Sequence, residues 1–348
     1  MSTTGISIGD PVGLFKQAEG HLEAGRDLEA KTMLRRLLNS SGVAPVALFR
    51  LGEIENKLGN AKDSETFHRR AFSADARLAS RITSTDHPFH GYAYRDIDQT
   101  VVSDCPLCGK TGRHYWTFNM VTNMDFNEGF DPVRSWMICD SCNHIYASAF
   151  PSDLDRVLSD SDNEQYEQPK TGLLSYNGSI ISRLRRMTDG RRLFEIGVGA
   201  GELMAVAAEF GFNVTGLEIR PSHAERVSRM IDLPVVCADF ADYDTPDRYD
   251  VICMGDVLEH FRRPTEAIAK VAELLIEKGL IWISTPNHES AFSRIMKDRD
   301  PMKRVCEHMN YFSFKSLRNL LGNNGMEVVD YRISAHYNGS MEVVAIKR

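Results

Sequence analysis

The sequence predicts an α/β protein built on a doubly wound, mostly parallel sheet, preceded by a helical region and a small cysteine-bearing module. Three observations lead there. From about residue 173 onward, strand-like apolar runs alternate with helix-like ones, the pattern of a parallel sheet with helices on both faces. Between residues 105 and 142 lie two Cys-x-x-Cys pairs. Residues 11–80 read as helices that repeat themselves after 34 positions.

In the helical region, assigned to 1–84, a shift of 34 lays Phe15 on Phe49, Ala18 on Gly52, Gly25 on Gly59 and Leu38 on Phe72. A helix–turn–helix period of that length resembles the tetratricopeptide repeat. LGEIENKLGN, with Leu51, Gly52 and Gly59, and later Ala71 supply its small-residue positions, although Ser64 stands where alanine is expected. Small residues matter because paired helices cross closely only where side chains are short. Two copies are fewer than a free-standing solenoid needs, so the unit is expected to lean on the rest of the chain or on a second protomer. Such hairpins usually bind peptides or mediate assembly.

The next module, 85–150, carries CPLCG (Cys105, Cys108) and ICDSCNHIYAS (Cys139, Cys142). Each pair is a tight turn that can aim two thiolates at one tetrahedral ion, which predicts a structural zinc with no chemistry of its own. A redox pair or free core thiols is the alternative. His114 and His144 stand near enough to be rival ligands. Cys237, Cys253 and Cys306 read as small core residues.

The net charge of −7 argues against a general affinity for nucleic-acid backbones. No apolar run approaches the ~18 residues of a membrane span. MSTTGISIGDPVG lacks the pattern of a signal peptide, and with paired cysteines that suggest metal the expected location is cytoplasmic.

PSDLDRVLSDSDNEQYEQP opens a polar linker or lid, 151–187, with a short helix; the sheet domain is expected over 188–348. Its strands are predicted at 191–196, 213–219, 234–237, 249–254, 279–284, 326–333 and 341–347, and its helices at 201–210, 221–230, 264–277 and 313–323. The last two strands are joined by HYNGS, so the final one should run antiparallel.

LFEIGVGAGELM places Gly197, Gly199 and Gly201 behind the first strand of this domain. The spacing is not that of a dinucleotide fingerprint, and Glu195, two residues before the first glycine, would repel a diphosphate. The same carboxylate suits a ligand bearing an amino group and a positive sulfur, so S-adenosylmethionine fits better than NAD. Glu218 ends the second strand, where it can accept from a ribose diol. Asp239 follows the third strand, placed for an adenine amino group with Phe240 against the ring. Asp256 follows the fourth. All four points lie at carboxyl ends of strands, where open α/β sheets bind ligands.

With these residues in view, 173–348 resembles a class I S-adenosylmethionine-dependent methyltransferase, of a subgroup with VLEHF after the fourth strand and EHMNYFSFKSL after the fifth. The resemblance implies that Glu195, Gly197, Gly199 and Gly201 line the methionine end of the cofactor. It gives Glu218, with Ile219 beside it, to the ribose and Asp239 with Phe240 to the adenine, closed over by Asp256 and Val257. Bacterial members often carry a Cys-x-x-Cys ribbon ahead of the domain, followed by a tyrosine-bearing loop. Tyr166 is the matching position and a candidate contact to cofactor or acceptor.

Methyl transfer is an in-line displacement helped, for an alcohol, by a base. His260 and His308 are the candidates, and the alternative for His260 is a structural role in the active-site loop. Glu259, Tyr311, Arg294 and Arg304 are candidate acceptor contacts. The stretch 288–312 is expected to form a cap whose Arg294, Lys297, Arg299, Lys303 and Arg304 would either hold a phosphate or form a solvated face. The leading expectation is O-methylation of a small hydroxylated acceptor such as a sugar nucleotide or glycan intermediate. A sugar C-methyltransferase, or a protein methyltransferase that recruits its substrate through the helical repeats, is the alternative.

Overall fold

The computed structural model describes residues 10–160 and 169–348. Tyr166 lies outside the described residues. The chain opens with two helical hairpins, α1 (Pro11–Glu23) with α2 (Asp27–Arg36) and α3 (Ala44–Lys57) with α4 (Ala61–Ala74), followed by the short α5 (Ala79–Ile82). Proline in the first turn of α1 and α3 suits helix starts, where its missing N–H costs nothing. The 34-residue repeat is visible in the turns. Gly25 and Gly59 both take positive φ, 70° and 82°. Arg26 N–H donates to the His21 carbonyl and Asn60 N–H to that of Glu55, both at 2.8 Å, so the two helices end in the same left-handed cap. At Gly52 a Cβ would fall 2.7 Å from the His68 ring, which fixes a residue without a side chain there.

A small antiparallel sheet follows, in the order β11-β4-β3-β2, where β2 is Arg113–Asn119, β3 Val133–Cys139, β4 His144–Ala147 and β11 Asn310–Tyr311. A separate pair joins β1 (Gln99–Val101) to β5 (Ala149–Pro151). The fourth strand of the small sheet thus comes from far down the chain. Phe49 and Phe72 of the second hairpin, Trp136 of β3 and Tyr311 of β11 share one apolar core. The helical region and the cysteine module are therefore not separately packed: the second hairpin lays its apolar face on β2 and β3.

The large sheet has the order β12-β13-β10-β9-β6-β7-β8. Its strands are β6 (Arg192–Ile196), β7 (Asn213–Glu218), β8 (Val235–Cys237), β9 (Tyr249–Gly255), β10 (Leu275–Pro286), β12 (Met326–Ile333) and β13 (Ser340–Lys347). Strands β6 to β10 pair in parallel, and β13 runs antiparallel to both β10 and β12, as the HYNGS turn predicts. Helices α8 (Glu202–Glu209), α9 (Pro221–Ile231), α10 (Pro264–Leu274) and α12 (Phe314–Asn323) connect the strands, and apolar cores lie on both faces.

Two expectations need correction. Helix α10 ends at Leu274, not 277, because Leu275 already bridges Tyr249; Lys278 takes φ 63° and Gly279 folds back on the Ile276 carbonyl before the strand resumes at Leu280. The segment 151–187 is not all linker. It holds α6 (Leu154–Ser159) and α7 (Leu173–Arg185), and Ile180, Ile181 and Leu184 of α7 are buried against the sheet domain. The stretch 288–312 is built from α11 (Ala291–Met296), 3-10 turns at Lys297–Arg299 and Pro301–Arg304, and β11.

Candidate functional site

The glycine turn sits where the sheet order reverses, since β6 is flanked by β7 on one side and β9 on the other. Open parallel sheets leave a crevice at that point, beyond the carboxyl ends of the strands. A cavity of about 370 Å³ lies here. Its wall includes Gly197 after β6, Glu218 and Ile219 after β7, Asp239 and Phe240 after β8, and Val257, His260 and Phe261 after β9. Sequence reasoning named all of these but Phe261.

Each wall residue is held by local geometry. Gly197 has φ 75°, donates its N–H to the Leu217 carbonyl at 2.8 Å, and leaves no room for a Cβ, which would sit 2.5 Å from Val257 Cγ2. Gly201 has φ 87° and opens α8, while Gly199 has φ 49°. Glu218 is buried, and its Oε1 accepts from both the backbone N–H and the Nε of Arg220 at 3.1 and 2.8 Å. Asp239 Oδ1 accepts from Ala241 N–H at 2.8 Å. Phe240 stands edge-on to Phe261, and the Lys270 ammonium donates to the Phe240 carbonyl at 2.7 Å.

Glu195 is not at the mouth of the turn. It lies behind it, 5% exposed, with Oε2 unpartnered. Burial pushes its carboxyl well above the ordinary range and the nearby Glu202 adds to the effect, whereas the Met204 N–H opposes it. Its charge is costly unless a cation arrives. Asp256 takes φ 52°, and its Oδ1 accepts from Ser284 Oγ at 3.0 Å; burial, with Glu342 nearby, raises it to about 6. Gly199, Gly201, Glu195 and Asp256 lie beside the cavity and do not line it.

The histidines are deeper than expected. His260 lines the cavity, and its Nδ1 is 3.0 Å from the Glu307 carbonyl; burial depresses it to about 4. His308 is 6% exposed and is held well below the usual imidazole range by burial, then by His260 and Arg134. Groups so depressed make weak bases. Glu259 is fully buried, its Oε2 accepting from Thr285 Oγ1 at 2.9 Å. Tyr311 is buried against Trp136 with its hydroxyl 3.3 Å from His308 Nδ1, so neither Glu259 nor Tyr311 is on the cavity wall.

The basic cluster does not form one patch. Lys303 is buried, its ammonium 4.1 Å from the centre of the Trp116 ring and bonded to the Lys297 carbonyl. Arg304 stacks over Phe118 at 5.1 Å, and Arg294 is exposed on α11. Neither Arg294 nor Arg304 lines the cavity. The cationic heads of Lys303 and Arg304 find aromatic partners on β2, which only tertiary packing supplies.

Two features of the site escaped sequence reasoning. Leu154, Asp155 and Leu158 of α6 close one side of the cavity, and Arg262 donates to Asp155 at 2.7 Å across that edge. The signal was the apolar spacing in DLDRVL, hidden in a polar stretch. His223 Nε2, 2.6 Å from the Gly199 carbonyl, fixes the glycine turn from α9.

At the far end of the small sheet the sulfurs of Cys105, Cys108, Cys139 and Cys142 lie within 4.8 Å of one another, with Cys105–Cys142 and Cys108–Cys139 at 3.5 Å. Four sulfurs each about 2.3 Å from a central zinc would be separated by similar distances, so the donor set fits one tetrahedral ion. Both histidine rivals are engaged elsewhere. His144 is buried with Nε2 3.0 Å from Asn310 Oδ1, and His114 Nδ1 lies 3.7 Å from Glu65.

Residues 171–331 match the family model described as a methyltransferase domain. Fold and match agree on a methyltransferase domain over this stretch, a little under half of the chain. Among curated relatives, the ubiquinone biosynthesis O-methyltransferase of Aeromonas salmonicida (strain A449) is 30% identical over 105 residues, 28% of this chain and 44% of that protein. The enzyme of the same name from Bartonella quintana (strain Toulouse) is 26% identical over 178 residues, 47% of this chain and 70% of that protein. The chain thus spans less than half the length of the Aeromonas relative. Among solved structures, the magnesium protoporphyrin IX methyltransferase from Synechocystis PCC 6803 with bound S-adenosylmethionine superposes with TM-score 0.45 at 16% identity, over 56% of this chain and 98% of that one. Among the described residues no helix is long and apolar enough to cross a membrane.

Proposed function

We propose that the chain is an S-adenosylmethionine-dependent O-methyltransferase acting on a small hydroxylated acceptor. The observation that carries this reading is the cavity at the switch point, where Gly197, Glu218, Asp239, Phe240 and Val257 meet at the carboxyl ends of four successive strands. Glu218 keeps one carboxylate oxygen for a ribose diol while Arg220 holds the other. Phe240 offers an adenine ring an apolar face. The buried carboxyl of Glu195 favours the cationic end of the donor, because a positive group would offset a desolvation cost that a diphosphate would increase. Oxygen as the methylated atom takes support from the relatives named O-methyltransferases. A saccharide or sugar-nucleotide acceptor had its main sequence support in the basic cap, and Lys303 and Arg304 are used inside the fold.

Four thiolates in tetrahedral reach support a structural zinc in the small sheet, where it would tie the β3–β4 turn to the Cys105–Cys108 turn. The helical hairpins fit an assembly or recruitment role through α1 and α2, since α3 and α4 are packed on β2 and β3.

Calorimetry with S-adenosylhomocysteine and NAD tests the reading. Binding of the first and indifference to the second is expected; uptake of NAD alone would refute it. His308→Ala should depress turnover far more than cofactor affinity, and unchanged turnover would remove His308 from the mechanism.

A further inference from the structure

The two cysteine turns are bonded to the wall of the cavity at the switch point. Between Cys105 and Cys108, the Pro106 carbonyl accepts from Thr265 Oγ1 at 2.8 Å. Thr265 stands in the first turn of α10, between Arg263 and Glu266, both of which line the cavity. Leu107, next in the same cysteine turn, packs against the small core of Cys105, Cys139 and Tyr146. It also packs against the sheet-domain core that carries Val257 and Phe261.

The second turn is tied in from the other side. Asn143, directly after Cys142, takes φ 56°, and its carbonyl accepts from Ser313 Oγ at 3.0 Å with His288 Nε2 at 3.1 Å. One residue on, His144 reaches the cavity wall through Asn310. The Asn310 Nδ2 donates to the Phe261 carbonyl at 2.7 Å, which leaves Oδ1 to accept from His144 Nε2 at 3.0 Å. The neighbouring Met309 N–H donates to the Glu259 carbonyl at 2.7 Å. The backbone of 259–261 therefore hangs on β11, which pairs with β4.

Both anchors converge on one stretch, 257–265, from which Val257, His260, Phe261, Arg262 and Arg263 line the cavity. Its own regular structure is a short 3-10 turn at Leu258–His260, so bonds to other elements set its path. The paired sulfurs, 3.5 Å apart, hold the two cysteine turns together firmly only through a shared ion. As thiolates they repel one another, and as thiols they make weak hydrogen bonds.

We propose that Thr265 and Asn310 are positioning residues that couple the cysteine cluster to the cofactor cavity. The ion-bound turns set the path of 257–265, so cofactor affinity depends on the metal, and retention of the metal depends on the cofactor. This rests on the cofactor reading of the cavity and on a zinc among the four thiolates. Such coupling is reciprocal by thermodynamic linkage, whichever ligand binds first.

The test uses the full zinc-bound chain. Zinc affinity is measured by competition with a chromophoric chelator, with and without saturating S-adenosylhomocysteine. The nucleoside is expected to tighten zinc by about fivefold or more. Thr265→Val, which keeps the size and loses the hydroxyl, should lower that factor at least ~twofold, and Thr265→Ser should preserve it. A zinc that merely holds the fold together would give the same factor in both variants, because its link to the ligand would run through global unfolding. Zinc affinity unchanged by S-adenosylhomocysteine overturns the proposal, and so does a Thr265→Val factor equal to that of the wild type. A chain that binds no zinc overturns it too. Calorimetry on the zinc-bound wild type tells the two readings apart. Failure to bind S-adenosylhomocysteine sinks the methyltransferase reading and the coupling with it, whereas binding without effect on zinc sinks the coupling alone.

Discussion

Gly197→Ala isolates what the glycine turn does for the cofactor. The residue has φ 75°, a left-handed conformation that costs an ordinary L-residue roughly 1–2 kcal/mol. The added methyl would also sit 2.5 Å from Val257 Cγ2, so the valine or the turn must move. Overpacking of that kind costs typically about 1–3 kcal/mol. Both residues face the cavity, so displacement of either narrows the crevice in which the proposed cofactor would lie. If half of the combined ~2–5 kcal/mol appears in binding, affinity for S-adenosylhomocysteine falls by roughly 5- to 70-fold. Calorimetry on Gly197→Ala, Val257→Ala and the double variant separates the two contributions. Removing the Val257 methyls relieves the contact and leaves the backbone strain, so the double variant should recover part of the affinity. A single Gly197→Ala variant that binds like the wild type, with unchanged melting temperature, would refute the reasoning.

Three further outcomes are expected. Burial raises the carboxyl of Glu195 above the 4.5 of a free glutamate, so the folded state holds a proton the unfolded chain releases; the stability this confers is complete below that value and declines as pH rises. Glu195→Gln should therefore stabilise the ligand-free protein more at pH 8 than at pH 5 and lower its preference for S-adenosylmethionine over S-adenosylhomocysteine; equal melting shifts at both pH values would count against it. Cys139→Ser should abolish stoichiometric zinc measured by mass spectrometry and lower the melting temperature, and a zinc content that survives would remove the four-thiolate assignment. Gly52→Ala drives a methyl to 2.7 Å from the buried His68 ring and should destabilise by about 1–3 kcal/mol in urea melts, whereas Gly20→Ala, with open space around it, should not.

Much of this protein was legible in its residues because the signals were local. The 34-residue shift, the HYNGS turn and the glycine spacing each rest on neighbours in the chain, and each recurs in the structure as a repeated cap, an antiparallel strand and a left-handed turn. The cavity wall was legible for the same reason, since strand ends in a parallel sheet meet at one crevice whatever their separation. What failed was the placement of side chains whose partners lie on a distant element without any motif to mark them. Lys303 and Arg304 read as free charges until Trp116 and Phe118 appeared beneath them.

The sequence by itself determined the order of strands and helices, the four gathered thiols and a ligand crevice guarded by acids, because periodicity and turn chemistry are written in adjacent residues. Tertiary structure alone decided that Asn310–Tyr311 completes the small sheet and joins it to the sheet domain. It alone decided that α6 closes the cavity, and that Glu259 and His308 lose their water. Burial sets the state of both groups, and for His308 the Arg134 guanidinium, far off in the chain, adds to it; no window of sequence carries that information.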